Sequence, residues 1–389
     1  MISARQPLDC GCRPAGGLRL AFVLILVMLV VTGCTRQQQE ARLLLEDIQA
    51  GERPSALKVR EPAPEENLTR TNLGDGRALD VLVVQPGDSG RIRGTMILVP
   101  GLAPDGLDDP RLRTLARSLA RVGFEVVIPE LPGTADLVAD RSDPDVLAAV
   151  VETVTDRPDT GRVILAGVSY ALGPAVLAAT QPDIAPLTAA IFGVGGYYDI
   201  ETAIGYLTTG MYRDPDGEWQ RGPVDQRAVW RYALANADRV DDAADADRLR
   251  EIAARRLEDD AGKAVDALGP EAAAIYNLLV NDDPQAVPTL IGRLPAGMRE
   301  DLYALSPAHR QGPAQRVRMI LVHGRDDPLV PAPESTRLAE ALGTPDSRVV
   351  TAASLGHAGF DGSLGWGDRL RLLAAATDLL DIRDGLAGR

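Results

Sequence analysis

Ser169 lies between Gly167 and Ala171, at the end of the apolar run Val163 to Ala166 and directly ahead of the helical segment Leu172 to Ala179. A serine hydroxyl becomes a useful nucleophile only when a base takes its proton, and that base must itself be oriented by an acid. The chain has three histidines, His309, His323 and His357. His357 falls in the loop Leu355-Gly-His-Ala-Gly-Phe360, after the last apolar run and before the closing helix, while His323 ends the run Val317 to Val322. Carboxylates able to orient a base stand at Asp326 and Asp327, just past His323, and at Asp199, just past the run Ala189 to Gly193. A strand ending in Gly-x-Ser before a helix is also ordinary turn-and-cap chemistry, so the serine alone does not define a site.

The elements that must carry these residues follow from the pattern of apolar runs. From residue 78 onward, runs such as Asp80 to Val84, Gly94 to Val99 and Phe124 to Ile128 alternate with helical segments such as Arg111 to Arg121 and Asp145 to Thr155. Such alternation predicts βαβ units and a mostly parallel sheet covered by helices on both faces. Around residue 200 the alternation stops, and residues 203–315, rich in Ala, Asp and Arg at helical periodicity, predict an all-helical insertion. Its aromatics Tyr206, Tyr212, Trp219, Trp230, Tyr232 and Tyr276 are expected to be core of that insertion rather than ligand contacts. Strand and helix signals resume at Val317 to Val322, Glu334 to Leu342, Arg348 to Ala352 and Leu370 to Ile382. The expected core is therefore residues 78–202 with 316–389.

The segment Gly167-Val-Ser-Tyr-Ala171 resembles the nucleophile elbow of the α/β-hydrolase family, G-x-S-x-G on a strained strand-to-helix turn, with one methyl in place of the final glycine. His323-Gly-Arg-Asp-Asp-Pro-Leu-Val-Pro331 resembles the family's H-G-x-x-D-x-x-V-P segment. Together the likeness covers roughly residues 78–386, interrupted by the helical insertion. It implies an α/β-hydrolase fold with an inserted helical cap, Ser169 as nucleophile, His357 as base and Asp327 as acid, in the family order of Ser, Asp, His. Asp326, one residue away in the loop, and Asp199 remain alternatives for the acid. The resemblance further implies an oxyanion hole made by the main-chain N–H groups of Tyr170 and Leu102. Pro100 stands where relatives commonly have histidine, which removes a side chain from that turn but no donor at Leu102. The expected activity is hydrolysis of an acyl bond, foremost a carboxylic ester of a small-molecule or lipid substrate, with no cofactor. An acyltransferase using the same triad, or a catalytically silent binding module on the hydrolase scaffold, are the competing expectations.

Composition excludes other classes. The 389 residues carry 55 acidic against 41 basic side chains, a net charge of -14 and the wrong sign for holding nucleic acid. Cys10, Cys12 and Cys34 all lie near the amino terminus, so a disulfide-stapled body and a cysteine zinc site are excluded, and with three histidines no metal site is expected. Leu20 to Val31 is an apolar run of 12 residues behind Arg13 and Arg19, which is secretory-signal architecture and short for a span. Val31-Thr-Gly-Cys34 resembles a bacterial lipobox, which implies a signal over 1–33, a lipid on Cys34 and a membrane-anchored protein of the cell envelope. Thr35, not Asp, follows that cysteine and favours the outer membrane. Residues 34–77 are expected to be a tether, with a short amphipathic helix and a Pro/Glu-rich linker, that stays outside the core.

Overall fold

The computed structural model describes residues 36–88, 90–134, 136–258, 268–310, 315–357, 359 and 364–387. The chain opens with helix α1 (Arg36–Ala50) and a short helix α2 (Ala56–Arg60), then enters the sheet through β1 (Glu65–Asn72), β2 (Ala78–Gln85) and β3 (Gly94–Val99). Helix α3 (Pro110–Arg121) leads to β4 (Phe124–Pro129), α4 (Asp143–Thr155) to β5 (Val163–Val168), and α5 (Leu172–Ala179) to β6 (Thr188–Val194). The insertion follows: α6 (Ile200–Thr209), the hairpin β7 (Met211–Arg213) and β8 (Trp219–Arg221), α7 (Gln226–Asn236), α8 (Ala243–Leu257), α9 (Pro270–Leu279), α10 (Val287–Ile291) and α11 (Ala296–Ala304). Strand β9 (Met319–Gly324), helix α12 (Pro333–Leu342), strand β10 (Arg348–Ala352) and helix α13 (Trp366–Ala387) complete the chain.

The main sheet runs β1-β2-β4-β3-β5-β6-β9-β10. β1 pairs antiparallel with β2, and β2 with β4; all later neighbours are parallel. Central strands of a parallel sheet are buried on both faces, which is why their sequences are continuous apolar runs. In β3, Met96 and Leu98 pack with α1, α3 and α13 on one face, whereas Ile97 and Val99 pack with α4, α5 and α12 on the other. With a mostly helical insertion between β6 and β9, this is the α/β-hydrolase architecture. After β3 the chain turns to β4 on one side and then crosses to β5 on the other, so the crevice beyond the carboxyl ends of β3 and β5 is the switch point where open α/β sheets place ligands.

Two expectations are corrected. Residues 34–77 are not a detached tether over the part described: β1 is an edge strand of the sheet, and Ala41 and Leu44 of α1 sit in the core. Buried polar groups seat the helix as well as apolar ones. Asp47, fully buried, accepts from Ser118 Oγ at 2.7 Å and pairs with Lys58 Nζ at 2.9 Å, while Ser55 Oγ also donates to it. The sequence does not mark β1, because Glu65–Asn72 exposes most of its side chains and has no apolar alternation. The insertion is also not wholly helical, since β7 and β8 form a hairpin whose Asp214-Pro-Asp-Gly217 turn is chemically apt for one. The lipobox, Cys34 and the apolar run before it lie outside the described residues, and no helix among the described residues is long and apolar enough to cross a membrane.

Candidate active site

Ser169 is held at the end of β5 with a φ of 54°, a left-handed conformation that few non-glycine residues adopt. The strain is local to the turn that lifts the side chain out of the sheet before the chain enters α5. Gly167 makes that turn possible: a Cβ there would lie 2.7 Å from Leu172 Cα and 2.8 Å from its nitrogen. Ala171 has ordinary right-handed helical backbone, φ -65°, and is fully buried, so the methyl that departs from the motif meets no conformational penalty.

His357 Nε2 is 2.5 Å from Ser169 Oγ, and its Nδ1 is 3.0 and 2.9 Å from the two oxygens of Asp327. In the geometry of a triad, Ser169 donates to Nε2 and Nδ1–H donates to the carboxylate. Asp327 is 1% exposed. Burial pushes its carboxyl up, but hydrogen bonds from His323 and His357 outweigh that and hold it well below the usual carboxylate range. Leu329 and Val330 N–H donate to its Oδ1 at 2.8 and 3.0 Å. His323 Nε2 lies 3.0 Å from the Val330 carbonyl, which can only accept, so that nitrogen carries the proton and Nδ1 accepts from Ser335 Oγ at 2.7 Å. The same Nε2–H faces Asp327 Oδ2 at 3.4 Å. His323 thus braces the loop that presents Asp327, and from the insertion Tyr206 O–H donates to the Asp327 carbonyl at 2.9 Å.

The two rival carboxylates are placed elsewhere. Asp326 is exposed. Asp199 caps α6, accepting from Glu201 N–H at 3.0 Å and from Ser306 Oγ at 3.2 Å. His309 stacks on Tyr303 in the insertion, with ring centroids 4.6 Å apart. Gly195, with a φ of 62°, packs against the Asp327–His357 pair: a Cβ there would stand 2.5 Å from the His357 carbonyl and 3.2 Å from Asp327 Oδ2. No spacing rule in the sequence singles this glycine out.

Leu102 and Tyr170 flank the serine. Gly101 brings the turn after β3 so close that a Cβ on it would lie 3.1 Å from Ser169 Cβ. Among the described residues, no acceptor takes the Leu102 N–H. The Tyr170 N–H stands in the first turn of a helical segment, where donors have no partner within the helix. A negative oxygen beside Ser169 is what such donors suit.

Above the serine opens a cavity of about 240 Å³, lined almost wholly by apolar side chains of the insertion and of the loops after β3, β4 and β9. Ile204, Leu207, Val229, Leu278, Met298 and Leu302 represent the wall. Tyr232 also lines it, so this aromatic is a cavity residue rather than insertion core alone. Its few polar members include Asn236 and the ion pair Arg239–Asp301. Asn236 Nδ2 donates to the Leu137 carbonyl at 3.1 Å and Arg141 pairs with Glu300 at 2.5 Å, so the insertion is fastened to the core beside the cavity.

Among solved structures, the chain is similar to Pyrococcus horikoshii acylaminoacyl peptidase, at 15% identity over 82% of this chain and 41% of that one, with a TM-score of 0.44. It is also similar to a Mycobacterium tuberculosis puromycin-hydrolyzing peptidase, at 15% identity, 87% and 41% coverage and a TM-score of 0.42. A third is Porphyromonas gingivalis dipeptidyl peptidase 4, at 12% identity, 82% and 36% coverage and a TM-score of 0.42. The chain spans about two-fifths of the length of these proteins. No protein-family model and no curated protein matches it.

Proposed function

We propose that the protein is a serine hydrolase that cleaves carboxylic esters of apolar acyl groups through an acyl-enzyme on Ser169. The observation that carries this reading is the hydrogen-bonded chain Ser169–His357–Asp327 standing at the base of an apolar cavity. His357 takes the hydroxyl proton as Ser169 attacks the carbonyl carbon, and Asp327 stabilises the imidazolium that forms. The developing oxyanion is met by the N–H groups of Tyr170 and Leu102. His357 then gives its proton to the departing alcohol, and a water activated by the same imidazole releases the acid. No step calls for a cofactor. The acyl chain occupies the cavity, where the described wall residues carry no charge apart from the mutually paired Arg239 and Asp301.

A series of p-nitrophenyl esters from acetate to dodecanoate tests this reading. Each buried methylene contributes about 0.8 kcal/mol, so kcat/KM is expected to rise up to about fourfold per carbon until the cavity is filled, then to fall. Matching acyl anilides are expected to be poorer than the esters, and Ser169→Ala to be inactive on all. Turnover retained in Ser169→Ala, or anilides preferred to esters, would contradict it.

A further inference from the structure

We propose that Asp143 is a positioning residue of the oxyanion hole, acting through the Tyr170 phenol to hold the Tyr170 main-chain N–H on the oxyanion. The inference rests on the hydrolase reading above and adds a residue that no motif in the chain points to.

Tyr170 is the residue after the nucleophile, and its backbone follows the strained elbow directly. The turn sets the path of the main chain there, and the Tyr170 side chain adds a second restraint on where its N–H points. That side chain is buried, and its O–H donates to Asp143 Oδ2 at 2.8 Å while accepting from the Asp140 N–H at 3.3 Å. Asp143 is 0% exposed, and its other oxygen, Oδ1, has no hydrogen-bond partner among the described residues. Helix capping does not explain this placement. Asp143 is the first residue of α4, where an acidic side chain ordinarily faces water, and the cap position before it, Ser142, makes no side-chain cap bond. A half-satisfied buried carboxyl is unfavourable by itself, so what the placement achieves is the bond to the phenol.

The surroundings give this pair a distinctive pH signature. Burial pushes the Asp143 carboxyl up to about 7; the Tyr170 hydrogen bond and the Asp140 main-chain N–H oppose this, and the negative charges of Asp140 and Asp301 add to it. From α5 and its elbow Asp143 faces Tyr170, from the segment after β6 the buried Tyr197, from its own loop Asp140, and from α11 Asp301. The nearby cations, Arg141 and Arg239, are already paired with Glu300 and Asp301. In neutral form Asp143 anchors the phenol without charge. Once ionised it sets an uncompensated negative charge behind the oxyanion hole, which opposes the charge developing in the transition state. Activity is therefore expected to fall on the alkaline side of about 7.

The test compares Tyr170→Phe, Asp143→Leu and Asp143→Asn with the parent on one ester, recording kcat, KM, the pH profile and the thermal midpoint. Loss of a whole oxyanion donor lowers kcat by about 10²–10³, so a misplaced one is expected to lower it about tenfold in Tyr170→Phe and Asp143→Leu, with KM within about twofold of the parent. Asp143→Asn keeps an acceptor for the phenol and cannot ionise; it is expected to lose less kcat than Asp143→Leu and to lose the alkaline limb. Parental kcat in Tyr170→Phe or Asp143→Leu, or a parental alkaline limb in Asp143→Asn, overturns the proposal. If Asp143→Leu does not fold, Tyr170→Phe, which differs by one oxygen, carries the test. A parent without ester turnover would instead overturn the hydrolase reading and this inference with it, whereas an active parent with unaffected variants overturns this inference alone.

Discussion

Asp327→Asn is expected to lower kcat on an ester by about 10⁴ while leaving the protein folded. The amide keeps the shape and the acceptor for the Leu329 and Val330 N–H groups, but it cannot hold His357 in the tautomer with Nδ1 protonated, nor balance the imidazolium. Asp326→Asn and Asp199→Asn are expected to stay within severalfold of the parent, because one side chain is exposed and the other is spent on the α6 cap and Ser306. Steady-state kinetics on the three variants separates them, and a large loss in either of the other two would move the acid. The pH sign follows from the depressed carboxyl of Asp327. The stability its ionisation contributes is fully present above about pH 4, the unfolded value, and is lost only as pH falls through the lower folded value. Asp327→Asn is therefore expected to have a flatter acid unfolding profile than the parent.

Arg383→Ala is expected to destabilise the protein by about 3–5 kcal/mol, the range for removing one partner of a buried ion pair. Arg383 is 0% exposed, and its guanidinium spans both oxygens of Glu40 at 2.8 and 2.9 Å, reaches Asp384 at 2.9 Å, donates to the Val122 carbonyl and lies over the Phe124 ring. Arg93 completes the cluster, bonding Glu40 and Asp384 at 2.7 Å each. Removing Arg383 leaves two carboxylates facing one cation and a void beside Gly94, and it removes the charged link between α1 and α13 while their apolar contact remains. Urea unfolding measures the loss, and a change below about 1 kcal/mol, typical of an exposed pair, would show that the clasp contributes little.

What could be read from the chain before its structure depended on which physical signal each part carries. The parallel strands were legible because burial on both faces demands unbroken apolar runs, as in Gly94–Val99 and Val163–Val168. The meeting of Ser169, Asp327 and His357 was legible because each stands just past a strand end, in a segment whose local residue types mark it. The clasp of α1 was not, because it is made by Glu40, Asp47, Arg93 and Arg383, charged residues that the sequence presents as ordinary surface. β1 was hidden for a related reason: an edge strand with little buried area needs no apolar pattern. Asp143 was hidden most thoroughly. Asp-Pro at a helix start reads as capping, and only the fold brings that carboxyl to a phenol 27 residues away in the chain. The cavity belongs with these, since its wall is assembled from helices far apart in sequence, and the same leucines and isoleucines would suit a filled core.

The role of Ser169 is tested most directly by treating the folded parent with a fluorophosphonate and locating the adduct by peptide mass spectrometry. One adduct per chain is expected, on Ser169, with labelling abolished in Ser169→Ala and strongly slowed in His357→Ala. An unlabelled parent, or an adduct on any other residue, would contradict the assignment of Ser169 as the nucleophile.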